Sequence, residues 1–323
     1  LKVMQWRRNP GLRALANVAA ISEAPTAYHL GFIFGPRVNA GGRVGAADLG
    51  ARLLTTAVDD EAAKLAERLN DFNRERQDIE AQVLASALDS LEKNPPGAAV
   101  VAVGEDWHPG VIGIVASRLK DRFNRPACVI SMNGAEGLGT GSGRSVTGVD
   151  LGANVIAARQ AGLLNRGGGH RMAAGFTLAK SQLSAFREFL EERVSARVME
   201  AGIVPSLYLD GALTSGGANL ELIDALECLA PYGSGNSEPR FVIPSARVSF
   251  ADVVGDNHVR CSLESADGGR LKAICFGAVD RPLGQLLLKA EGRPLHVAGR
   301  LRANSWQGRI SPQLFVDDAA AVW

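Results

Sequence analysis

The chain has 323 residues, with 35 Lys+Arg against 34 Asp+Glu and a formal net charge of +1. Hydrophobic residues at 46% exclude a disordered chain, and no apolar run approaches the roughly 18 residues of a membrane span. Near-neutrality excludes a highly basic tail protein but leaves nucleic-acid binding open, because a local basic face suffices for it.

Cys128, Cys228, Cys261 and Cys275 stand far apart without a CxxC pair, so neither a disulfide framework nor a zinc site is expected. Cys128, inside the apolar run Ala127–Ile130, reads as a buried small hydrophobe. This composition fits a reducing cytoplasm. Arg7, Arg8 and Pro10 break up any secretory signal, and the opening Leu1, in place of Met, is what a fragment would show.

Length predicts two or three domains. Residues 1–57 are mixed and glycine-rich, with the punctuated stretch Phe34–Arg43. From Asp59 to Asn94 there is neither Gly nor Pro, and Leu65, Leu69, Phe72, Ile79, Val83 and Leu91 recur at helical steps. The spacing predicts one helix of about 35 residues and roughly 50 Å, long enough to connect two lobes. Asp59, Asp60 and Glu61 suit its N-terminal dipole, and Pro95-Pro96-Gly97 stops it.

Ala98–Val103 reads as a buried strand, Val111–Phe123 as a helix and Pro126–Met132 as another strand, which is a βαβ unit. Gly137–Gly143 and Asn165–Gly175 read as glycine-dense loops around a helix at Val149–Ala161, and Ser181–Ala201 as a further helix. After Pro205, a short helix at Leu220–Leu229 leads into the turn cluster Pro231–Asn236. Strand character follows at Phe241–Phe250, Val259–Glu264, Arg270–Phe276, Leu295–Leu301 and Arg309–Val316, with turns at Asp267–Gly269 and Asn304–Gly308. Five short strands in this length suggest a small barrel such as an OB-fold. The predicted class is therefore α/β, a mixed sheet flanked by helices and preceded by a long connecting helix, plus a C-terminal all-β barrel.

Four segments have the composition of chemistry-bearing sites. In Leu138–Ser145 the glycines let backbone N–H groups converge on an anion, with Ser142, Arg144 and Ser145 adding donors; a flexible hairpin explains it equally well. It is neither a Walker loop nor G-x-G-x-x-G. In Asn165–Gly175 a triple glycine places His170 beside backbone donors, between Arg166 and Arg171, which favours anion binding over a core histidine. Trp107 and His108 lie between a strand and a helix, where α/β ligands sit, although packing by Trp107 and helix capping by His108 account for them too. Arg37, Asn39 and Arg43 lie on a glycine-rich segment that either reads phosphates or ties itself to the long helix.

In the barrel, Phe241, Phe250, Phe276, Trp306 and Phe315 are interleaved with Arg240, Arg247, Arg260, Lys272, Arg300, Arg302 and Arg309, a pattern suited to stacking a single strand. Most of the phenylalanines are expected in the core, with Trp306 exposed at a turn. The histidines are scattered, and no Asp-x-Asp or Asp-His-His occurs, so no metal site is predicted in this chain.

Taken together, Gly35-Pro-Arg-Val-Asn-Ala-Gly-Gly-Arg43, His108-Pro-Gly-Val-Ile-Gly-Ile-Val-Ala-Ser-Arg118, Gly141-Ser-Gly-Arg-Ser145, Gly167-Gly-Gly-His-Arg-Met-Ala-Ala-Gly175 and Leu229–Phe241 resemble, in residues and in order, the RecJ family of single-strand-specific DNA exonucleases in the DHH phosphoesterase superfamily. The resemblance implies a tail of the DHH lobe at 1–57, a connecting helix at 58–95, a DHH-associated α/β domain at 96–204, and a linker helix with an OB-fold at 205–323. It also implies 5′→3′ hydrolysis of single-stranded DNA in repair and recombination, with Mn²⁺ or Mg²⁺ held by a DHH lobe outside this chain.

By the same resemblance, Ser142, Arg144 and Ser145 contact phosphate, Gly168, Gly169 and His170 face the scissile phosphate, and Arg37, Asn39 and Arg43 line the cleft. His108 and Trp306 complete the candidate DNA-binding set, and His170 is the candidate catalytic residue. The implied partners are single-stranded DNA with a 5′ phosphate and a single-strand-binding protein, with no membrane. Alone, the chain is expected to bind a strand without cleaving it and to hold no metal. The competing readings are a DHH oligoribonuclease or nucleotide phosphatase, a non-catalytic single-strand-binding module, and a nucleotide-binding regulatory protein.

Overall fold

The computed structural model describes residues 8–133, 137–201, 206–233, 235–290 and 292–322. Leu1, Arg7, Pro205 and Ser234, on which parts of the expected chain start, domain boundary and turn cluster fall, lie outside the described residues. The chain divides into two compact units, Leu1–Pro205 and Ser206–Trp323.

Among the described residues, the stretch that composition marks as mixed and glycine-rich is helical. Its elements are α1 (Pro10–Val18), a π-helical turn (His29–Phe34), α2 (Gly35–Val44) and α3 (Leu49–Thr55). Pro36 sits in the first turn of α2, where its missing N–H costs nothing. Gly41 is a packing residue, since a Cβ there would lie 2.7 Å from Ala46 O and 3.2 Å from Leu69 Cδ2.

The long helix α4 spans Asp59–Lys93, 35 residues, with Asp59, Asp60 and Glu61 in its first turn as expected. It packs in two zones. Ala62, Leu65, Ala66 and Leu69 join a core with Leu15, Phe34 and Leu53. Val83, Ala87 and Leu91 join Val100, Val111 and Val115 of the α/β region. Between them the buried positions are polar: Asn70, Asn73, Arg76 and Glu80. Arg76 donates to Glu80 Oε2 at 2.6 Å and to Asn73 Oδ1 at 3.1 Å, and Arg118 donates to the other oxygen of Glu80.

The α/β region runs β1 (Val100–Glu105), α5 (Pro109–Phe123), β2 (Ala127–Asn133), β3 (Leu138–Arg144), α6 (Leu151–Gln160), β4 (Arg166–His170), β5 (Ala173–Ala179) and α7 (Leu183–Ala201). Strand order is β1-β2-β3-β5-β4, with β1 and β2 parallel across α5 and the remaining pairs antiparallel. The two glycine-dense segments, expected as loops, are therefore strands. Gly139, Gly141 and Gly143 alternate on the core side of β3, which is what lets large neighbours lie flat against it. A Cβ on Gly139 would be 2.6 Å from Met132 Sδ, one on Gly143 2.6 Å from Leu151 Cδ2, and one on Gly141 would overlap the Phe176 ring. Phe176 in turn packs with Leu151 and Val155 of α6 and with Phe186 and Leu190 of α7.

In the second unit a short strand β6 (Gly211–Ala212) and α8 (Leu220–Glu227) precede β7 (Phe241–Val254), β8 (His258–Glu264), β9 (Arg270–Cys275), α9 (Pro282–Leu288), β10 (Pro294–Trp306) and β11 (Arg309–Ala321). The order β10-β11-β9-β8-β7, closed by pairing of β7 with β10, makes a five-stranded barrel of OB type, with β6 added parallel to β7. Alternate residues such as Val259, Cys261, Leu263, Leu271, Ala273 and Leu314 fill it. Helix α9 escaped sequence reading because its seven residues are too few to show a helical period. One further expectation fails, that most of the barrel phenylalanines are core: Phe250 and Phe276 are each 51% exposed, and only Phe241 belongs to the core. Phe276 follows the inward Cys275 and so faces out, against the rings of His258 and Phe315.

Candidate nucleic-acid interface

Period-two alternation divides the sheet of the first unit into two unlike faces. Its core face carries Gly139, Gly141, Gly143, Phe176 and Leu178. Its other face, over β3, β5 and β4, carries three cross-strand rows. The first row is Arg144–Ala173–His170, the second Ser142–Gly175–Gly168, and the third Thr140–Thr177–Arg166. A Cβ on Gly168 or Gly175 would have nothing within 4 Å. The middle row is thus an open floor of bare backbone, flanked by hydroxyl and cationic side chains.

The β3 end of this floor meets helix α5. The Arg144 guanidinium lies over Gly113, where a Cβ would sit 3.0 Å from its Nη2 and 2.9 Å from Ser142 Oγ. Arg144 also donates to Ser142 Oγ at 3.2 Å and to Gly143 O at 2.8 Å. Arg43, exposed near the end of α2, donates to Gly110 O at 3.0 Å in the first turn of α5. Burial, and then the neighbouring charge of Arg43, pull the pKa of Arg144 below the usual arginine value. Among the described residues neither arginine has a carboxylate within salt-bridge distance. Arg43 at the first turn of α5, and Arg144 with Ser142 over its fifth residue, thus bring two cations to the N-terminal half of one helix, an arrangement that favours an anion.

Both candidate histidines present the same chemistry. His108 is the N-cap of α5 and its Nδ1 accepts from Gly110 N–H at 3.0 Å. His170, exposed at the end of β4, accepts through Nδ1 from Met172 N–H at 3.2 Å. An imidazole whose Nδ1 accepts a hydrogen bond carries its proton on Nε2, so each ring offers a donor to a ligand rather than a free basic nitrogen.

The remaining candidates are placed unequally. Ser145 is 1% exposed, its hydroxyl donating to Val149 O at 2.8 Å and its N–H to Met172 O at 2.9 Å. Both donors hold the turn after β3, so the expected phosphate contact from Ser145 is corrected to a structural role. Arg37 is half-buried and turned toward α4, donating to Asn70 Oδ1 at 3.0 Å and to Ile33 O at 2.9 Å. Burial, and then Arg74, lower its pKa. Asn39 is exposed on the same helical face as Arg43, four residues earlier. Gly169 is crowded against Ala174, unlike its open neighbour Gly168. Sequence reading missed Thr140, Thr177, Gly175 and Gly113. The signal for Thr140 was present in the strict alternation Leu-Gly-Thr-Gly-Ser-Gly-Arg, which is a strand pattern.

On the barrel, Trp306 is 70% exposed at the β10–β11 turn, where Gln307 and Gly308 both adopt left-handed backbone. The outer face carries Phe315 under the Arg302 guanidinium at 5.0 Å, with Phe276 packed 5.6 Å from Phe315 and edge-on to His258. Phe250 lies 5.7 Å from the Arg260 guanidinium. Phe315 is half-buried, and Arg302 and Arg260 are paired with Glu238 and Asp252, so the exposed rings available to stack a base are Trp306, Phe250 and Phe276.

Among the described residues no three His, Cys, Asp or Glu side chains come together to hold a metal ion. These residues do not fit a divalent metal centre. No helix of the described residues is long and apolar enough to cross a membrane.

The two faces of β3 and β5 give a paired expectation for stability. Gly141→Ala should destabilise the first unit by about 1–3 kcal/mol through overpacking against Phe176. Gly175→Ala, on the open face, should change stability by no more than about 0.5 kcal/mol. Urea unfolding of the two variants checks this, and equal losses would contradict the division into a packed and an open face.

Comparison with known proteins bears on both units. Residues 96–196 match the DHHA1 domain family and residues 209–318 the RecJ OB domain family. The single-stranded-DNA-specific exonuclease RecJ of Bacillus subtilis is 31% identical over 294 residues, 90% of this chain and 36% of that protein. The protein of the same name from Haemophilus influenzae is 32% identical over 319 residues, 95% of this chain and 54% of that one. The crystal structure of RecJ from Thermus thermophilus in complex with Mn²⁺ superposes with a TM-score of 0.82 at 28% identity, covering 100% of this chain and 45% of that one. The chain thus spans between about a third and just over half of the curated relatives it matches.

Proposed function

The chain is RecJ-like, a DHHA1 domain followed by a RecJ OB domain, and from that premise we propose that it holds one strand of DNA by its phosphates for 5′→3′ exonucleolytic removal of nucleotides. The observation that carries the reading is the pair Arg43 and Arg144, with Ser142, near the N-terminal end of α5 and without a carboxylate partner among the described residues. A terminal 5′ phosphate carries more charge than an internal phosphodiester and gains most from two guanidinium groups and a helix end.

From there the backbone of the strand crosses the floor of Gly168 and Gly175, where no side chain holds it away from the sheet. His170 donates through Nε2 to a non-bridging phosphate oxygen at the edge of that floor, and His108 does the same beside the terminal phosphate. The contacts from these groups go to phosphate, which positions a strand without specifying its sequence, so binding is tolerant of sequence. In the OB unit Trp306, Phe276 and Phe250 supply stacking, which every base satisfies. Divalent ions, when bound by the longer protein, supply water activation and charge neutralisation from residues outside this chain. Alone, the chain binds a strand and does not cleave it. The unpaired thiols support a cytoplasmic location, and a single-strand-binding protein that delivers the substrate is part of the proposal.

The test is a fluorescence-anisotropy titration at two salt concentrations with a 5′-phosphorylated single strand, its 5′-hydroxyl counterpart and a blunt duplex. The expected order is phosphorylated strand tightest and duplex weakest, with affinity falling steeply as salt rises. Equal affinity for duplex, or no binding, would overturn the reading.

A further inference from the structure

The third row of the open sheet face is not used by the terminal-phosphate site. Arg166 opens the edge strand β4, is exposed, and among the described residues has no carboxylate partner and no hydrogen bond from its guanidinium. In register beside it stand Thr177 of β5 and Thr140 of β3, two hydroxyls on the same face. The row continues to Ser131 of β2, which is 8% exposed and donates to Trp107 O, so the open part ends at Thr140. Arg144 and Arg166 are separated by four residues along the strands and by two strands across them. At ~3.3 Å per residue and ~4.8 Å per strand, their positions lie about 16 Å apart. The space between them is the bare glycine row.

We propose that Arg166, Thr177 and Thr140 form a second phosphate subsite, which takes an internal phosphodiester of the same single strand on the 3′ side of its terminal phosphate. The inference rests on the strand-holding reading above and adds a second point of attachment to it. A strand held only at its end pivots, whereas two cationic points with a smooth floor between them draw the backbone straight over Gly168 and Gly175. Length of substrate is then sensed by charge: a ligand too short to reach Arg166 gains nothing from it, and a longer one gains a charge-assisted contact.

The experiment compares the full chain with its Arg166→Ala variant and with the Thr140→Val/Thr177→Val double variant, which keeps the β-branched shape. The ligands are a 5′-phosphorylated thymidine dinucleotide and the corresponding hexanucleotide. Arg166→Ala should weaken the hexanucleotide about three- to tenfold at low salt and lower its salt slope by about 0.7, the value for one phosphate of a single strand, while leaving the dinucleotide unchanged. The valine variant should weaken the hexanucleotide about two- to fivefold with the slope retained, since it removes hydroxyls and no charge. Equal loss on both ligands, or no loss on either, would overturn the subsite. Failure of the unaltered chain to bind either ligand would instead overturn the strand-holding reading, and the subsite with it.

Discussion

Replacing Arg43 and Arg144 together by alanine should cost a 5′-phosphorylated single strand about 100-fold in affinity and leave the 5′-hydroxyl strand within about threefold. Both guanidinium groups lie against the first two turns of α5, with no carboxylate at salt-bridge distance among the described residues, and Arg144 is already unfavourably placed by burial and by Arg43. A dianionic phosphate relieves that repulsion, which is why the terminal group, rather than the strand in general, should report the loss. Arg144→Ala alone should cost about tenfold. Arg144→Lys should recover only part of it, because an ammonium keeps the charge but lacks the planar fork that spans Ser142 and an anion at once. Anisotropy titrations with the two strands measure all of this. Equal loss on both strands would reduce the pair to general electrostatic attraction.

Glu80→Ala should destabilise the first unit by about 3–5 kcal/mol, the cost of leaving a buried cation without its counter-ion. Glu80 is 4% exposed and receives both Arg76, itself 9% exposed, and Arg118 from α5. Its carboxylate ties the polar middle of α4 to α5 through Arg118. The double replacement Arg76→Met with Glu80→Leu should recover most of the loss, because two apolar side chains of similar size need no hydrogen bonds. Urea unfolding followed by far-UV circular dichroism checks both variants. A Glu80→Ala chain as stable as the unaltered one would mean that Arg76 reaches solvent when its partner is gone.

The polar stretch of α4 also shows where periodicity succeeds and where it stops. Leu65, Leu69, Val83 and Leu91 mark the buried face and both ends of a 35-residue helix, because a core-facing stripe must recur at helical steps. The same pattern cannot say that Asn70, Asn73, Arg76 and Glu80 are buried as well. Their burial depends on α2 and α5 arriving from elsewhere in the chain with Arg37 and Arg118 as partners.

Glycine was the harder residue to read. In Gly139, Gly141 and Gly143 it makes room for Met132, Phe176 and Leu151; in Gly168 and Gly175 it leaves an open floor; in Gly41 it admits a neighbouring helix. Composition treats all of them as turn residues, and so Gly137–Gly143 and Asn165–Gly175 were expected as loops, while Phe34–Arg43 read only as a punctuated glycine-rich stretch. The outward row of β3 was legible in the alternation of glycine with Thr140, Ser142 and Arg144, had the period been weighed above the glycine content.

By itself the sequence determined the βαβ unit, the long helix, the mixed α/β region followed by a five-stranded barrel, and the residue types from which an anion site is built. These follow from local periodicity, capping and turn chemistry, which act over a few residues at a time. Only the tertiary structure decided that Arg43 and Arg144, about a hundred positions apart, stand together over α5, while Arg37 turns away to Asn70 and Ser145 is buried in a turn. It also decided that Gly168 and Gly175 face open space while Gly167 and Gly169 do not. Strand register and helix packing set these outcomes, and both are fixed by contacts between segments far apart in the chain.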